Sequence, residues 1–192
     1  MIRFKLGYRK VIGKETQASI LEEIRRISPF KVYLAIKFLS TYLSVRPKEM
    51  RSLLEGNINL QTGQLAFSKA KDKDYKTVPL IEEDIEILKT FPPAINPEIL
   101  FFRKEDGTGF GPQYLWLHWR RACKNLRIQG VDLYGGTRHS SAQALRNLFS
   151  PERIKRALGS STNVAFERYY NIELEEVREV FSQTSGAKHL PH

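Results

Sequence analysis

The sequence predicts a mostly helical α+β fold that contains one small three-stranded antiparallel sheet. Apolar residues recur at helical spacing over residues 20–27 and 32–42. Three short runs of strand-forming residues follow, separated by turn and loop residues, at 57–60, 64–69 and 76–80. The last third of the chain returns to helical spacing. Helices that surround a single sheet built from hairpins are typical of the α+β class.

The ends of the predicted helices in the first two thirds are marked by proline and capping residues. Pro29 ends the first helix, which contains the 20–27 repeat. Ser44 and Pro47 stand where an N-cap and a first-turn proline would begin the third helix. Residues 81–88 and 114–126 are also predicted to be helical.

The last third carries the clearest helix signals. Ser150 and Pro151 predict the start of a helix, and Gly159 predicts its end. Two further helices are predicted at 163–170 and 174–181. The organisation is then a basic arm or linker over 1–14, one domain over 15–181, and a tail over 182–192.

The composition indicates a basic globular protein. Of its 192 residues, 31 are Lys or Arg and 21 are Asp or Glu, which gives a formal net charge of +10 at pH 7. Such an excess favours a polyanionic partner. The lone Cys123 excludes an internal disulfide and fits a reducing compartment. The sequence has neither a signal peptide nor an apolar run of about 18 residues, so we expect a cytoplasmic protein with no membrane partner.

Several common catalytic motifs are missing from the sequence. The four histidines form no pair at metal-ligand spacing, and no CxxC pair exists. The phosphate-loop patterns GxxxxGK[ST] and GxGxxG and the nucleophile pattern GxSxG are also missing. The sequence therefore gives no basis for a zinc site, a nucleotide-binding loop or a serine hydrolase.

Two arginines stand at the predicted starts of helices. Arg46 precedes Pro47, and Arg138 follows Thr137, a candidate N-cap after two glycines. A cation is unfavourable at a helix N-terminus unless an anion is bound there. Two arginines placed in this way suggest two guanidinium groups that bind one phosphate.

Ordinary explanations remain open for each candidate residue. Arg46 is equally a surface residue paired with Glu49. His139 either contacts the same phosphate or is a helix residue with a hydrogen-bonded ring. Tyr169 and Tyr170 are adjacent on a predicted helix, where neighbours point about 100° apart, so at most one of them faces a given site. Periodicity alone favours a packing role for both.

Two groups of basic residues are candidates for DNA contact. The first group crowds the second predicted hairpin: Lys69, Lys71, Lys73 and Lys76. The second group lies on the predicted 114–126 helix, beside two tryptophans: Arg120, Arg121 and Lys124. A solvated strand edge and an ordinary amphipathic helix explain the same residues without DNA.

Taken in order, four segments resemble the catalytic domain of tyrosine recombinases of the phage-integrase family. VRPKEM at 45–50 looks like the first arginine box, and TVPL at 77–80 matches the end of the family's small sheet. LYGGTRHS at 133–140 is similar to the second arginine box. The segment from ALG at 157–159 to residue 169 resembles the closing box with its nucleophilic tyrosine. The resemblance covers about residues 15–181 and implies that family's catalytic-domain fold.

The resemblance implies four catalytic residues: Arg46, Lys71, Arg138 and Tyr169. Tyr169 is selected over Tyr170 because it lies nine residues after the position that follows Leu-Gly. Counting back from the TVPL segment without gaps selects Lys71, whereas a longer hairpin loop selects Lys69.

Two positions depart from the family pattern. Gly135 stands where the family usually has histidine, and Ser160 where it usually has histidine or tryptophan. Candidate accessory residues that could compensate are His139 and Ser160, with Lys69 as the alternative lysine.

The resemblance implies a site-specific recombinase or integrase that cleaves and rejoins double-stranded DNA through a 3′-phosphotyrosine. This chemistry uses no metal and no nucleotide cofactor. The family's last helix, here residues 173–181, implies self-association on DNA. Because two histidines are missing, a weakened domain that binds DNA without cleaving it is the alternative. A basic helical scaffold that binds protein or RNA is a third hypothesis, and it predicts that the arginines and the tyrosine lie apart.

Overall fold

The computed structural model describes residues 9–68, 75–93, 95–146 and 148–159. Within these ranges the elements follow in the order α1 (Lys14–Ile27), α2 (Phe30–Thr41), α3 (Pro47–Arg51), a 3-10 turn (Glu55–Asn57), β1 (Ile58–Asn59), β2 (Gln64–Ser68), β3 (Tyr75–Pro79), α4 (Glu82–Lys89), α5 (Tyr114–Asn125), a π-helical turn (Gly135–His139), α6 (Ser140–Ala144) and α7 (Pro151–Leu158). The predicted α+β class is confirmed. The helices predicted at 163–170 and 174–181 lie outside the described residues.

Helix α2 forms the centre of the core. Its buried residues lie on nearly all of its sides: Val32, Leu34, Ala35, Ile36, Phe38, Leu39 and Ser40. A helix that is apolar all round is covered by other elements on every side. Here α1, α3, α5 and the π-helical turn contact it. Within the described ranges, no helix combines the length and apolarity needed to cross a bilayer.

Helices α1 and α5 pack against each other beside α2. Ile20 and Ile24 of α1 are fully buried. The carboxylate of Glu23, which is also buried, accepts hydrogen bonds from Arg26 (Nη2–Oε1, 2.8 Å) and from Asn125 of α5 (Nδ2–Oε1, 2.6 Å). A buried carboxylate needs such partners, so this contact both satisfies Glu23 and fixes α1 relative to α5.

The sheet is antiparallel, in the order β1-β2-β3. Its strands confirm the three predicted runs to within one residue at each end. Leu65 pairs with Val78 and Phe67 pairs with Lys76. Because side chains alternate along a strand, the buried Leu65, Phe67 and Val78 share the face that meets the core, and Lys76 lies on that face with them.

Two expectations about local structure in the helices are wrong. Ser44 does not cap α3, because the helix begins at Pro47 and Arg46 is its N-cap residue. Thr137 does not begin a helix, because helical structure already starts at Leu133. By contrast, α7 begins after Ser150 and ends at a left-handed Gly159 (φ 62°), as predicted.

A buried polar group ties α2 to α4. The carboxylate of Asp84, which is fully buried, accepts a hydrogen bond from the Tyr42 hydroxyl (2.6 Å) and is ion-paired with Lys37. Burial, followed by the hydrogen bond to Asp84, raises the pKa of Tyr42, so its phenol stays protonated and donates. Glu83, which is 69% exposed, binds the same lysine (2.9 Å).

Replacing Asp84 by Ala should lower the free energy of unfolding by about 3 kcal/mol, because the Tyr42 hydroxyl and the Lys37 ammonium lose a buried partner. Glu83→Ala is the matched control, because it removes an exposed partner of the same lysine. The control should cost less than about 1 kcal/mol. Urea unfolding of both variants measures the difference, and equal losses would contradict the assignment.

Candidate active site

Arg46 lies at the entrance to α3, where the chain changes from extended to helical backbone. Its φ and ψ are −100° and 155°, and Pro47 occupies the first helical position. The backbone N–H of Arg46 donates to Oε2 of Glu49 at 2.7 Å. Glu49 therefore holds the backbone of Arg46, while the Arg46 side chain is exposed. The predicted pairing of these two residues is thus made through the main chain.

The same carboxylate binds Lys76 of β3. The Lys76 Nζ lies 2.6 Å from Oε2 of Glu49, donates to the carbonyl oxygen of Ser44 at 3.0 Å, and stands 5.1 Å from the centre of the Phe67 ring. Burial lowers the pKa of Lys76, the Glu49 carboxylate opposes this shift, and the charges of Arg46 and Arg138 add to it. Both arginines are therefore close enough to act on this lysine.

Arg138 reaches the site from the π-helical turn. Its side chain is buried, and Nη2 donates to the carbonyl oxygen of Leu158 at 2.9 Å. The helical segment that carries Arg138 is capped by Asp132, whose carboxylate accepts the N–H of Gly135 and whose carbonyl accepts the N–H of Gly136. Arg138 thus stands within a continuous helical segment and not at the helix start that the sequence predicted.

Thr137 has a different role from the predicted cap. Its hydroxyl donates to the Leu133 carbonyl oxygen at 2.6 Å, within the same helical segment. Gly136, beside it, lies against the fully buried Trp119, and a Cβ at position 136 would overlap the indole. The Trp119 Nε1 donates to the carbonyl oxygen of Val131 at 3.1 Å, which fixes the ring in this place.

A small apolar cluster packs together three segments of the chain that are distant in sequence. It consists of Leu43, Ala142, Ile154 and Leu158, with Leu145 at its edge. These residues come from the segments that carry Arg46, Arg138 and the Leu-Gly pair of the closing box. Gly159 also approaches Ser44, because a Cβ at position 159 would lie 3.4 Å from the Ser44 Cβ. Packing therefore brings together segments that are far apart in sequence.

The assembled site has an excess of positive charge. Arg46, Lys76 and Arg138 contribute three cations, and Glu49 contributes one carboxylate. Such a cluster of guanidinium and ammonium groups suits a phosphate, which can accept hydrogen bonds from all of them. Among the residues that the structure describes, no group of three His, Cys, Asp or Glu side chains is arranged to hold a metal ion.

His139 lies beside this cluster as a neutral group. Its ring meets that of Tyr134 edge-on at 5.1 Å between centres. Burial lowers the pKa of His139 to about 4, the charges of Arg9 and Arg138 contribute, and Asp132 opposes them. At neutral pH this side chain is therefore a hydrogen-bonding group and not a fourth cation. The packing role and the contact role that the sequence left open are both compatible with this position.

Several of the predicted site residues fall outside the described part of the chain: Lys69, Lys71, Lys73, Ser160 and Tyr169. The helix expected to mediate self-association, residues 173–181, does so as well. The DNA-contact candidates Arg120, Arg121 and Lys124 are exposed on α5, and the Arg120 guanidinium lies 4.6 Å from the centre of the Trp116 ring.

Two features of the site were missed from the sequence. Lys76 was assigned to DNA contact along the hairpin, yet it binds Glu49 within the site. The signal was present, because Lys76 precedes Val78 by two residues and so shares its buried face. The second missed feature is that Glu49 pairs with the backbone of Arg46 and not with its side chain. It also had a signal, since an acidic residue three positions after the N-cap is the spacing of a capping box.

Solved structures of recombinases and integrases share this architecture. XerA recombinase aligns with 91% of this chain and 64% of its own at a TM-score of 0.70 and 19% identity. The Tn1549 transposon integrase in complex with transposon right end DNA aligns with 96% of this chain and 68% of its own, at a TM-score of 0.71 and 15% identity. The chain has the fold of a tyrosine recombinase catalytic domain. The implied fold is thereby confirmed.

The alignments with these recombinases and integrases cover most of this chain but only part of the other proteins. A lambda integrase dimer bound to a COC′ core site aligns with 89% of this chain and 53% of its own, at a TM-score of 0.65 and 15% identity. The chain spans 64% of XerA and 54% of XerH. The sequence matches no family model and no curated protein.

Replacing Arg9 by Gln should raise the pKa of His139 above about 4, because removing a nearby positive charge makes protonation easier. An NMR titration of the imidazole measures this. Arg121→Gln is the control, since the pKa of His118 is lowered by burial and then by Arg121. It should raise the pKa of His118 and leave that of His139 unchanged.

The same shift has a consequence for stability. The pKa of His139 in the folded protein lies below the value of 6.5 that the unfolded chain has. Between these values the unfolded chain binds the proton and the folded protein does not. The free energy of unfolding therefore declines as the pH falls from 6.5 towards 4. A His139 that titrates near 6.5 in the folded protein would contradict its burial beside the two arginines.

Proposed function

We propose that this chain is the catalytic domain of a DNA strand-transferase that cleaves and rejoins double-stranded DNA through a phosphotyrosine on Tyr169. The observation that carries the proposal is that the charges of Arg46 and Arg138 both act on Lys76, which is paired with Glu49, in a chain that has the tyrosine recombinase fold. Structures with the same fold include XerH bound to its difH substrate after cleavage. In a scaffold whose arginines lay far apart, the two would not act on one lysine.

In the proposed reaction, the Tyr169 oxygen attacks a backbone phosphorus in line with the bond to the 5′ oxygen. The Tyr169 hydroxyl releases its proton to solvent as its oxygen–phosphorus bond forms, the bond to the 5′ oxygen breaks, and Lys71 supplies the proton that the leaving oxygen takes up. Arg46 and Arg138 donate hydrogen bonds to the non-bridging oxygens, where negative charge grows in the transition state. A 5′-hydroxyl from a partner strand reverses the step, so the bond energy is conserved.

Lys76 supports this arrangement through its charge and its position. It holds Glu49, and Glu49 holds the backbone of Arg46, so the lysine fixes the first arginine without contacting the guanidinium. The Lys76 ammonium adds to the positive field that attracts the phosphate.

The exposed basic side of α5 is proposed to contact the DNA backbone. Arg120, Arg121 and Lys124 project into solvent from a helix whose other side is buried through Leu115 and Trp119. Side chains of this kind give contacts to phosphates that carry no sequence information. Lys73 of the hairpin is proposed to add to them.

A second candidate function is DNA binding without cleavage. Gly135 motivates it, because a side chain at that position would collide with the protein itself, which excludes the histidine that the resemblance implies there. The cationic site binds a phosphate in either case, so the two functions differ only in whether a covalent bond forms.

Incubating the chain with a pool of nicked duplexes of randomised sequence should trap a covalent protein–DNA adduct, since the nick lets the cleaved strand diffuse away. Tyr169→Phe should abolish the adduct, whereas its neighbour control Tyr170→Phe should retain it. Arg46→Ala should slow adduct formation by about 10²–10³-fold, as expected when a transition-state donor is removed. A denaturing gel and mass spectrometry of the linked peptide identify the nucleophile.

If the wild-type chain binds these duplexes but forms no adduct, cleavage is wrong and the binding function remains. An adduct that survives Tyr169→Phe would equally contradict the assignment of the nucleophile.

Replacing Arg120, Arg121 and Lys124 together by Ala should weaken DNA binding and reduce the dependence of affinity on salt. The slope of log affinity against log salt should fall by about one for each phosphate that the variant no longer binds. The control is Arg25→Ala, which removes an exposed arginine of α1 that lies 3.7 Å from Glu22. An unchanged slope in the triple variant would exclude this side of α5 from the DNA interface.

A further inference from the structure

Residues 9–13, which precede α1 and which we call the arm, lie against the segment that carries Arg138. The backbone N–H of Ile12 donates to the Ser140 hydroxyl oxygen at 2.9 Å, and that hydroxyl donates to the Gly135 carbonyl oxygen at 2.7 Å. Gln17, just inside α1, donates from Nε2 to the Gly136 carbonyl oxygen at 2.7 Å. The start of α1 therefore hydrogen-bonds to the π-helical turn directly, and the arm is linked to the turn through Ser140, the first residue of α6.

The arm also determines which residue can stand at position 135. A Cβ built on Gly135 would lie 2.6 Å from the Lys10 carbonyl oxygen, 3.0 Å from Oδ1 of Asp132 and 3.5 Å from the Arg9 Cβ. The nearest of these is a backbone atom, which cannot rotate away as a side chain can. Glycine is therefore required here as long as the arm lies in this place.

Arg9 links the arm to Asp132 and to Tyr134, whose ring also contacts Arg138. It forms an ion pair with Asp132, the residue that caps the Arg138 segment. Its guanidinium lies 5.1 Å from the centre of the Tyr134 ring, and the guanidinium of Arg138 lies 5.8 Å from the same ring. Tyr134 is therefore in contact with both arginines.

We propose that the arm is part of the active site, with Arg9 as a positioning residue that holds Asp132 and Tyr134 and thereby Arg138 in the geometry that receives the phosphate. This inference rests on the proposed function for its catalytic consequence. Its structural part, that Arg9 restrains the π-helical turn, is independent of it.

Arg9→Gln tests the inference, with Lys14→Gln as the control because it removes the same charge from the neighbouring start of α1. In Arg9→Gln, amide hydrogen exchange of peptides spanning residues 133–145 should become about threefold to tenfold faster, the effect of removing an exposed ion pair and a cation–π interaction. The rate of adduct formation at saturating DNA should fall by a similar factor, with DNA affinity equal to that of the control. Arg9→Lys should restore most of the rate.

Gly135→Ala and Gly135→His test the same contact from the other side. Each should displace the arm, speed exchange of the 133–145 peptides by about tenfold or more, and reduce adduct formation, although Gly135→His restores the residue that the family resemblance implies. Circular dichroism and the thermal unfolding midpoint identify a variant that fails to fold. If the Gly135 variants do not fold, the exchange and rate measurements of Arg9→Gln alone test the inference.

The outcomes separate the inference from the proposed function. If the wild-type chain forms an adduct and Arg9→Gln matches Lys14→Gln in both exchange and rate, the arm is an ordinary connection and the inference is wrong. If the wild-type chain forms no adduct, the proposed cleavage fails, and the exchange measurement still decides whether Arg9 restrains the turn. Faster adduct formation in Gly135→His would overturn the inference directly.

Discussion

The site depends on holding three like charges together. Burial is the main cause of the lowered pKa of Lys76, and the positive charges of Arg46 and Arg138 lower it further. One carboxylate, Glu49, offsets part of the repulsion among these charges, and packing elsewhere in the fold must offset the rest. An anion bound beside these groups would offset the remaining positive charge.

The packing that holds the charges together is modest in size but well placed. Leu43 lies three residues before Arg46, Ala142 lies four residues after Arg138, and Leu158 directly precedes Gly159, so their shared cluster aligns the three segments. The Leu158 carbonyl oxygen then accepts the Arg138 hydrogen bond. Arg138 is oriented by a backbone atom at the end of α7, which makes its geometry sensitive to where that helix stops. The helix ends there because Gly159 adopts a left-handed conformation.

The sequence predicted the features that depend on local chemistry. The strands, α7 and the placement of Arg46 beside a first-turn proline follow from alternation, capping and the conformation of proline, all of which act over a few residues. The errors arose where two local signals compete. Thr137 and Asp132 are both good caps, and Asp132 acts as the cap because the helix extends two residues before Gly135. The sequence predicted a basic arm or linker over 1–14 but not what it contacts, because partners more than 100 residues away leave no periodic pattern.

The π-helical turn connects these observations. It is confined on two sides, by Trp119 against Gly136 and by the Lys10 carbonyl against Gly135, and each contact requires glycine for a different reason. A π-helical turn accommodates one residue more than an α-helical turn would, and such turns are frequent at functional sites. Here the turn delivers Arg138 into the site. The residue at position 135 and the position of the arm are therefore coupled: a histidine there requires the arm to lie elsewhere, and an arm in this place requires glycine. On this reasoning the departure from the family pattern at position 135 is a consequence of how the chain before α1 packs, and it need not mean that the phosphate site has decayed.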